Sequence, residues 1–177
     1  MGSFGLVPAV VVRRVALLIA VVIVMLAAAG PKASGALASY EFERTWEVTT
    51  ANGVAVDPQG NVYVTDENVV KKFTNNGTLI KTWGGLGSAA GELNDPQGIS
   101  IGPQGQVYVA DYLNYRVQEF TTDGTFIREW PVKGPGGADV APFDVDTDPQ
   151  GNVYIVQAGS TVFGEIPAVQ RYTATGA

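Results

Sequence analysis

The sequence predicts an all-β protein built from repeated four-stranded antiparallel sheets. Three observations carry that prediction. A segment of fifteen residues recurs twice at a spacing of 45–46 positions, each copy breaks into short apolar runs separated by Gly-containing turns, and no helical periodicity lies between the copies. The chain has 177 residues, 46% of them hydrophobic and 16% charged, with 22 Gly, long enough for one domain with a sizeable core. It contains no Cys and no His. Disulfides, thiolate metal sites, cysteine nucleophiles, Ser-His-Asp schemes and most hydrolytic zinc chemistry are thereby excluded.

Residues 1–38 read as an export signal. Arg13 and Arg14 supply a positive end, Val15–Ala29 is an unbroken apolar run of 15, and Ala36-Leu37-Ala38 is a small-x-small cleavage pattern. A membrane span needs about 20 residues, so cleavage is favoured over an uncleaved N-terminal anchor, the alternative that the apolar stretch Leu6–Val12 supports. The expected location is secreted, periplasmic or at the cell surface, with membrane attachment only through an uncleaved signal. Losing Arg13, Arg14 and Lys32 from 11 basic residues leaves eight against 17 acidic ones, a mature charge of −9. Such a surface repels phosphate backbones, which argues against nucleic acid as a partner.

The repeat occupies the rest. Asn52–Asp66 returns as Gln97–Asp111 and again as Phe143–Gln157, with Gly, Pro and Tyr in step. A second half follows: Lys72–Trp83 matches Glu119–Trp130, and the third copy stops inside it at Arg171–Ala177. In each unit the first strand, Gly53–Val56 in the first copy, meets an Asp-Pro-Gln-Gly turn in which Pro presets φ and Gly accepts positive φ. Val62–Val64 is apolar on both faces and reads as a buried second strand. A third strand ends at Phe73 or Phe120, Asn76-Gly77 or Asp123-Gly124 supplies a hairpin turn, and Leu79–Trp83 or Phe126–Trp130 forms the fourth. Four strands at this period, with no helix expected after residue 38, describe a β-propeller blade.

The pattern resembles the NHL-repeat family of β-propellers from Tyr40 to Ala177. The middle unit carries the likeness: Pro96, Gly98, Gly105, Tyr108-Val109-Ala110-Asp111, Asn114, Arg116-Val117, Phe120 and Gly124. The first unit keeps Tyr63-Val64-Thr65-Asp66 but is two residues shorter before Phe73. The third has Gln157 in place of the Asp and an insertion around Gly159–Pro167. The resemblance implies a six-bladed ring, whereas this chain holds about three blades' worth of strands: repeats at about 52–83, 97–130 and 142–177, with Glu41–Trp46 as an orphan fourth strand. Two explanations stand. The chain is a truncated copy of a longer frame, favoured because open repeat arrays need caps, or two copies form one ring by exchanging strand Glu41–Trp46.

Asp66 and Asp111 end the Tyr-Val-x-Asp strands, where a carboxylate is expected to accept backbone N–H bonds of the following turn rather than to catalyse. Asp144, Asp146 and Asp148 break the repeat by placing carboxylates at all three positions on one face of an inner strand, where the first unit has Gly53, Ala55 and Asp57 and the second Gly98, Ser100 and Gly102. An EF-hand reading fails, since Pro149 occupies the Gly place and Ile155 the bidentate Glu place. The remaining alternatives are a Ca²⁺-type oxygen site using Asp144 and Asp146, and a solvated acidic patch at the channel mouth. Trp46, Trp83 and Trp130 share one repeat position and read as packing residues. Tyr112, Leu113 and Tyr115 form an apolar loop and are the candidates for partner contact. Gly84-Gly85-Leu86-Gly87 and Gly134-Pro135-Gly136-Gly137 lack the helix start and Lys of a phosphate cradle and read as blade linkers.

The expected function is a non-catalytic, exported scaffold that binds a protein, peptide or carbohydrate. The resemblance also implies an alternative, a Ca²⁺-dependent lactonase-like hydrolase or lyase. The family's amidating lyases use His-bound zinc, which a chain without His cannot supply, and its RNA-binding branch conflicts with the acidic charge.

Overall fold

A computed structural model describes residues 42–157, 159 and 167–173. The fold is that of one unit, which starts at Glu43. The expected signal segment, the uncleaved-anchor alternative and most of the insertion around 159–167 lie outside the described residues. Among the described residues no helix is long and apolar enough to cross a membrane.

Three antiparallel sheets follow one another. Blade A runs β1 (Ala51–Val56), β2 (Val62–Asp66), β3 (Val69–Phe73) and β4 (Leu79–Gly84), hydrogen-bonded in that order. Blade B repeats it with β5 (Pro96–Ile101), β6 (Val107–Asp111), β7 (Arg116–Phe120) and β8 (Phe126–Pro131). Blade C has β9 (Pro142–Thr147), β10 (Val153–Gln157) and β11 (Ala168–Tyr172) among the described residues. The register repeats too. Val62 lies opposite Phe73, Val107 opposite Phe120 and Val153 opposite Tyr172, so Tyr172 holds the Phe position of its blade despite the insertion before it.

Three expectations about local structure are corrected. Residues 42–48 carry no strand, because an orphan fourth strand has no third strand beside it to complete a ladder. A short 3₁₀ turn, Tyr112–Asn114, is the exception to the expected lack of helix among the described residues, ending at Tyr115 in the left-handed region (φ 56°). The β3–β4 turn is likewise not the two-residue type that needs positive φ at both central positions. Only Gly77 is positive there (φ 83°), and Thr74 closes the turn by accepting the N–H groups of Asn76 and Thr78 on its hydroxyl.

The core lies between blades rather than within them. Tyr63, Val70 and Trp83 of blade A pack on Leu93, Ile99, Val107, Val109 and Phe120. One blade further, Tyr108, Val117 and Trp130 pack on Val145, Val153 and Ile155, with Tyr172 at the margin. Each Trp serves as a packing residue in the same way. Trp83 meets Tyr63 of its own blade edge-on at 6.2 Å and Phe120 of the next at 6.2 Å; Trp130 does the same with Tyr108 and Tyr172. The Gly-rich stretches are the blade linkers, each pinched by a bridge: Leu86 with Leu93, and Lys133 with Asp139.

The candidate axial site

The first strands of successive blades lie side by side, and the sequence permits this by omitting side chains. A Cβ on Gly53 would come within 2.5 Å of the Gln97 carbonyl, and one on Gly98 within 2.6 Å of the Asp144 Cα. Hydroxyls stitch the same strands together. Thr65 Oγ1 accepts the Gly53 N–H (2.8 Å) and donates to the Gln97 carbonyl (2.7 Å), while Ser100 Oγ donates to Asp146 Oδ1 (3.1 Å).

Where β1, β5 and β9 begin, a cavity of about 390 Å³ opens, lined by Asn52, Gly53, Gln97, Gly98, Phe143 and Asp144 among others. Asn52 Nδ2 donates to the Pro96 carbonyl (3.0 Å) and Gln97 Nε2 to Asp95 Oδ1 (2.8 Å), which holds both amides at the rim. The candidate contact loop reaches the same end. Tyr112 packs edge-on against Phe143 (6.3 Å), and Leu113 and Tyr115 are exposed. Phe143 and Gln97 escaped the sequence reading, although the aligned copies hold the signal: Asn52 and Gln97 occupy a place where the third copy turns aromatic.

The three carboxylates of β9 part company. Asp144 lines the cavity and accepts the Val145 N–H (2.9 Å). Although it reaches solvent, it stands in a concave site, and desolvation there, together with the Asp146 charge, pushes its pKa above the usual carboxylate value. Asp146 accepts Ser100 Oγ and the Thr147 N–H. Asp148 belongs to the turn, where it accepts the N–H groups of Gln150 and Asn152, Asn152 Nδ2 and the Tyr154 hydroxyl. Among the described residues no three His, Cys, Asp or Glu side chains converge as a metal cluster. Asp144 and Asp146 offer two carboxylates on one strand face, while a Ca²⁺ ion takes six to eight oxygens; main-chain carbonyls or water must complete any such shell.

Asp66 and Asp111 are structural, by a route other than the expected one. Their N–H partners come from the segment that enters the blade, not from the turn that follows. Asp66 accepts Thr49 N–H (3.0 Å) and Thr50 N–H (2.6 Å), and Asp111 accepts Asn94 N–H (2.7 Å). Burial alone would raise the pKa of Asp66 and of Asp57. Hydrogen bonds outweigh it, from Lys71 and the Thr49 and Thr50 amides at Asp66, and from Asn61, Tyr63 and Gln59 at Asp57, and both end below the usual value of 3.8. A depressed folded-state pKa adds stability that is present above the unfolded value and lost as pH falls through the folded one. The contribution of Asp57 and Asp66 is therefore expected to stay level from neutral pH to about pH 4 and to fall away steadily below it, as equilibrium unfolding of Asp57→Asn and Asp66→Asn against the parent chain would read. The raised Asp144 works in the opposite sense, so Asp144→Asn is expected to increase stability at pH 7 in the same denaturant titration.

The NHL repeat family matches residues 93–120, and a beta-propeller repeat family matches residues 41–65. Among curated proteins, none matches the chain. Solved structures share the fold at low identity. Hydrazine synthase of Kuenenia stuttgartiensis superposes with a TM-score of 0.55 at 13% identity, over 76% of this chain and 37% of that one. A luciferin-regenerating enzyme gives 0.56 at 17%, over 73% and 46%, and a gluconolactonase from Xanthomonas campestris 0.53 at 15%, over 73% and 45%. The chain thus spans less than half the length of each of these neighbours. With the blade order, the pairing register and the Trp positions repeating in step, the described residues form β-propeller blades, one of which carries an NHL repeat, consistent with an NHL-repeat propeller.

Proposed function

We propose that this protein is an exported propeller scaffold that binds a protein, peptide or carbohydrate at the axial end described above, without catalysing a reaction. The observation that carries the reading is the pairing of Tyr112 with Phe143, which joins the exposed Leu113–Tyr115 loop to a cavity rimmed by amides and main chain. Aromatic and amide groups of this kind supply contact area and orientation to a ligand. A chain without His or Cys lacks the commonest general base and the thiol nucleophile. The export signal expected at 1–38 and the acidic charge support an extracytoplasmic partner other than nucleic acid.

The second reading, a Ca²⁺-dependent lactonase-like hydrolase, draws on Asp144, whose carboxyl is perturbed beside Asp146 in the same cavity. One set of measurements separates the two. On the scaffold reading, glycan and peptide arrays yield a ligand whose affinity falls at least tenfold in Tyr112→Ala and Leu113→Ala, with melting temperature little changed, and lactones are not turned over. Calcium-dependent lactone hydrolysis that disappears in Asp144→Asn would replace it with the second.

A further inference from the structure

Among the described residues the blade-to-blade interface forms twice, and one half of it is exposed on blade A and the other half on blade C. On blade A, Val54 is 66% exposed, whereas its equivalents Ile99 and Val145, each covered by the blade before, are 5% and 3% exposed. On blade C, Val169 is 69% exposed, whereas its equivalents Val70 and Val117, each covered by the blade after, are fully buried. The two bare faces are therefore the two sides of one interface whose packing is already given residue by residue.

Trp46 shows how the halves meet. It sits on Phe73 (6.2 Å) and over Gly77, as Trp83 sits on Phe120 and over Gly124. In the other blades the Trp also packs edge-on against a Tyr of the second strand, Tyr63 or Tyr108. The corresponding residue on the bare face is Tyr154, already held by a hydrogen bond from its hydroxyl to Asp148, as Tyr63 is held by Asp57. Arg44 and Trp46 also keep the spacing of Lys81 and Trp83 in β4 and of Arg128 and Trp130 in β8.

We propose that two copies of this chain close on each other, blade C of each against blade A of the other, with residues 43–46 of one copy completing blade C of its mate as the fourth strand on β11. The register of β7 and β8, Val117 opposite Trp130 and Glu119 opposite Arg128, places Val169 opposite Trp46 and Arg171 opposite Arg44. Two arginines across a ladder have a precedent in blade A, where Lys72 lies opposite Lys81. Trp46 then stacks on Tyr154 of the second copy, and the bare valines are covered. Two copies bring six blades, inside the range of four to eight at which propellers close, and a two-fold axis along the channel makes both junctions identical.

The absence of cysteine allows a direct test on the full chain. Oxidation of Arg44→Cys/Arg171→Cys is expected to give a covalent species of two chains, while a control pair, Arg44→Cys/Gln104→Cys, does not form this closed species. Sedimentation of the unmodified chain is expected to show twice 18.6 kDa, falling to one copy in Val169→Asp with blade B still folded by hydrogen exchange. A single-copy mass for the unmodified chain, or cross-linked ladders longer than two chains, would overturn the proposal. Either result would point instead to further blades on a longer polypeptide or to open stacking.

Discussion

Replacing Asp111 with alanine is expected to lower the unfolding free energy by about 3–5 kcal/mol, the cost of stranding a buried charge partner. Asp111 is fully buried and accepts four bonds, from Asn94 N–H (2.7 Å), Asn114 Nδ2 (2.9 Å), Arg116 Nε (2.7 Å) and Gln118 Nε2 (3.0 Å). Arg116 in turn donates to the carbonyls of Ser88, Ala89 and Glu92 and to Glu129. One carboxylate thus fixes the guanidinium that holds the whole β4–β5 connection. Removing it leaves the guanidinium buried with its inner counter-charge gone and the Asn94 amide without an acceptor, while the Asn114 and Gln118 carboxamides each lose one of two acceptors and keep the Gly87 and Glu92 carbonyls. Urea unfolding is the measurement, with the midpoint moving and the slope unchanged. Asp66→Ala serves as the comparison, because its partner Lys71 is partly solvated and its loss is correspondingly smaller. Equal losses at the two sites would show that the Arg116 network adds nothing.

Gly98→Ala is expected to be the next most damaging change, by about 1–3 kcal/mol, the usual cost of overpacking. The added methyl would meet the Asp144 side chain, its Cα at 2.6 Å and the Val145 nitrogen at 2.8 Å. Two of those obstacles are backbone, so no rotamer change relieves them and β5 must move from β9. The strain falls on the cavity as well as on stability, and ligand affinity is expected to fall with the melting temperature. Gly136→Ala, with open space where its methyl would stand, should change the midpoint by no more than about 0.5 kcal/mol. Comparable losses in both variants would mean that the close approach of the inner strands is not what Gly98 provides.

Most of the blade structure was legible because its signals are local. Pro58 and Gly60, Gly77 and Gly124 mark turns wherever they stand, and Val62–Val64 is apolar on both faces in any context. The repeat then multiplied each weak signal by its copies. What stayed hidden depends on contacts between segments far apart in the chain. The alternation of β9 put Asp144, Asp146 and Asp148 on one face, but it could not show that Asp148 is consumed by its own turn, because that depends on how the Asx turn closes on Asn152 and Tyr154. Nor could the sequence show that Asp66 and Asp111 reach backward to the entering segment. The Tyr112–Phe143 contact joins a loop of blade B to the inner strand of blade C, and no single repeat contains both partners. The described part of the segment expected as a strand, residues 42–46, is not one for a related reason: a strand is a property of a pair, and the described residues offer this segment no neighbouring edge.

The turn between the first two strands shows how the copies can and cannot exchange residues. Blades A and C build it on an aspartate, Asp57 or Asp148, that gathers an Asn and a Tyr hydroxyl. Blade B has Gly102 there, and the space is taken by Gln106, whose Oε1 accepts the Gln104 N–H. A side chain at position 102 would meet that oxygen at 2.8 Å and the Tyr108 ring at 2.9 Å. The two solutions are therefore alternatives that cannot be mixed: aspartate requires the shorter Asn across the turn, and Gln requires the vacant Gly. A mutational path from one to the other has a preferred order, Gln106 shortening before Gly102 grows, and the opposite order passes through a collision. The two positions are thus coupled, and the effect of changing either depends on which residue the other already holds.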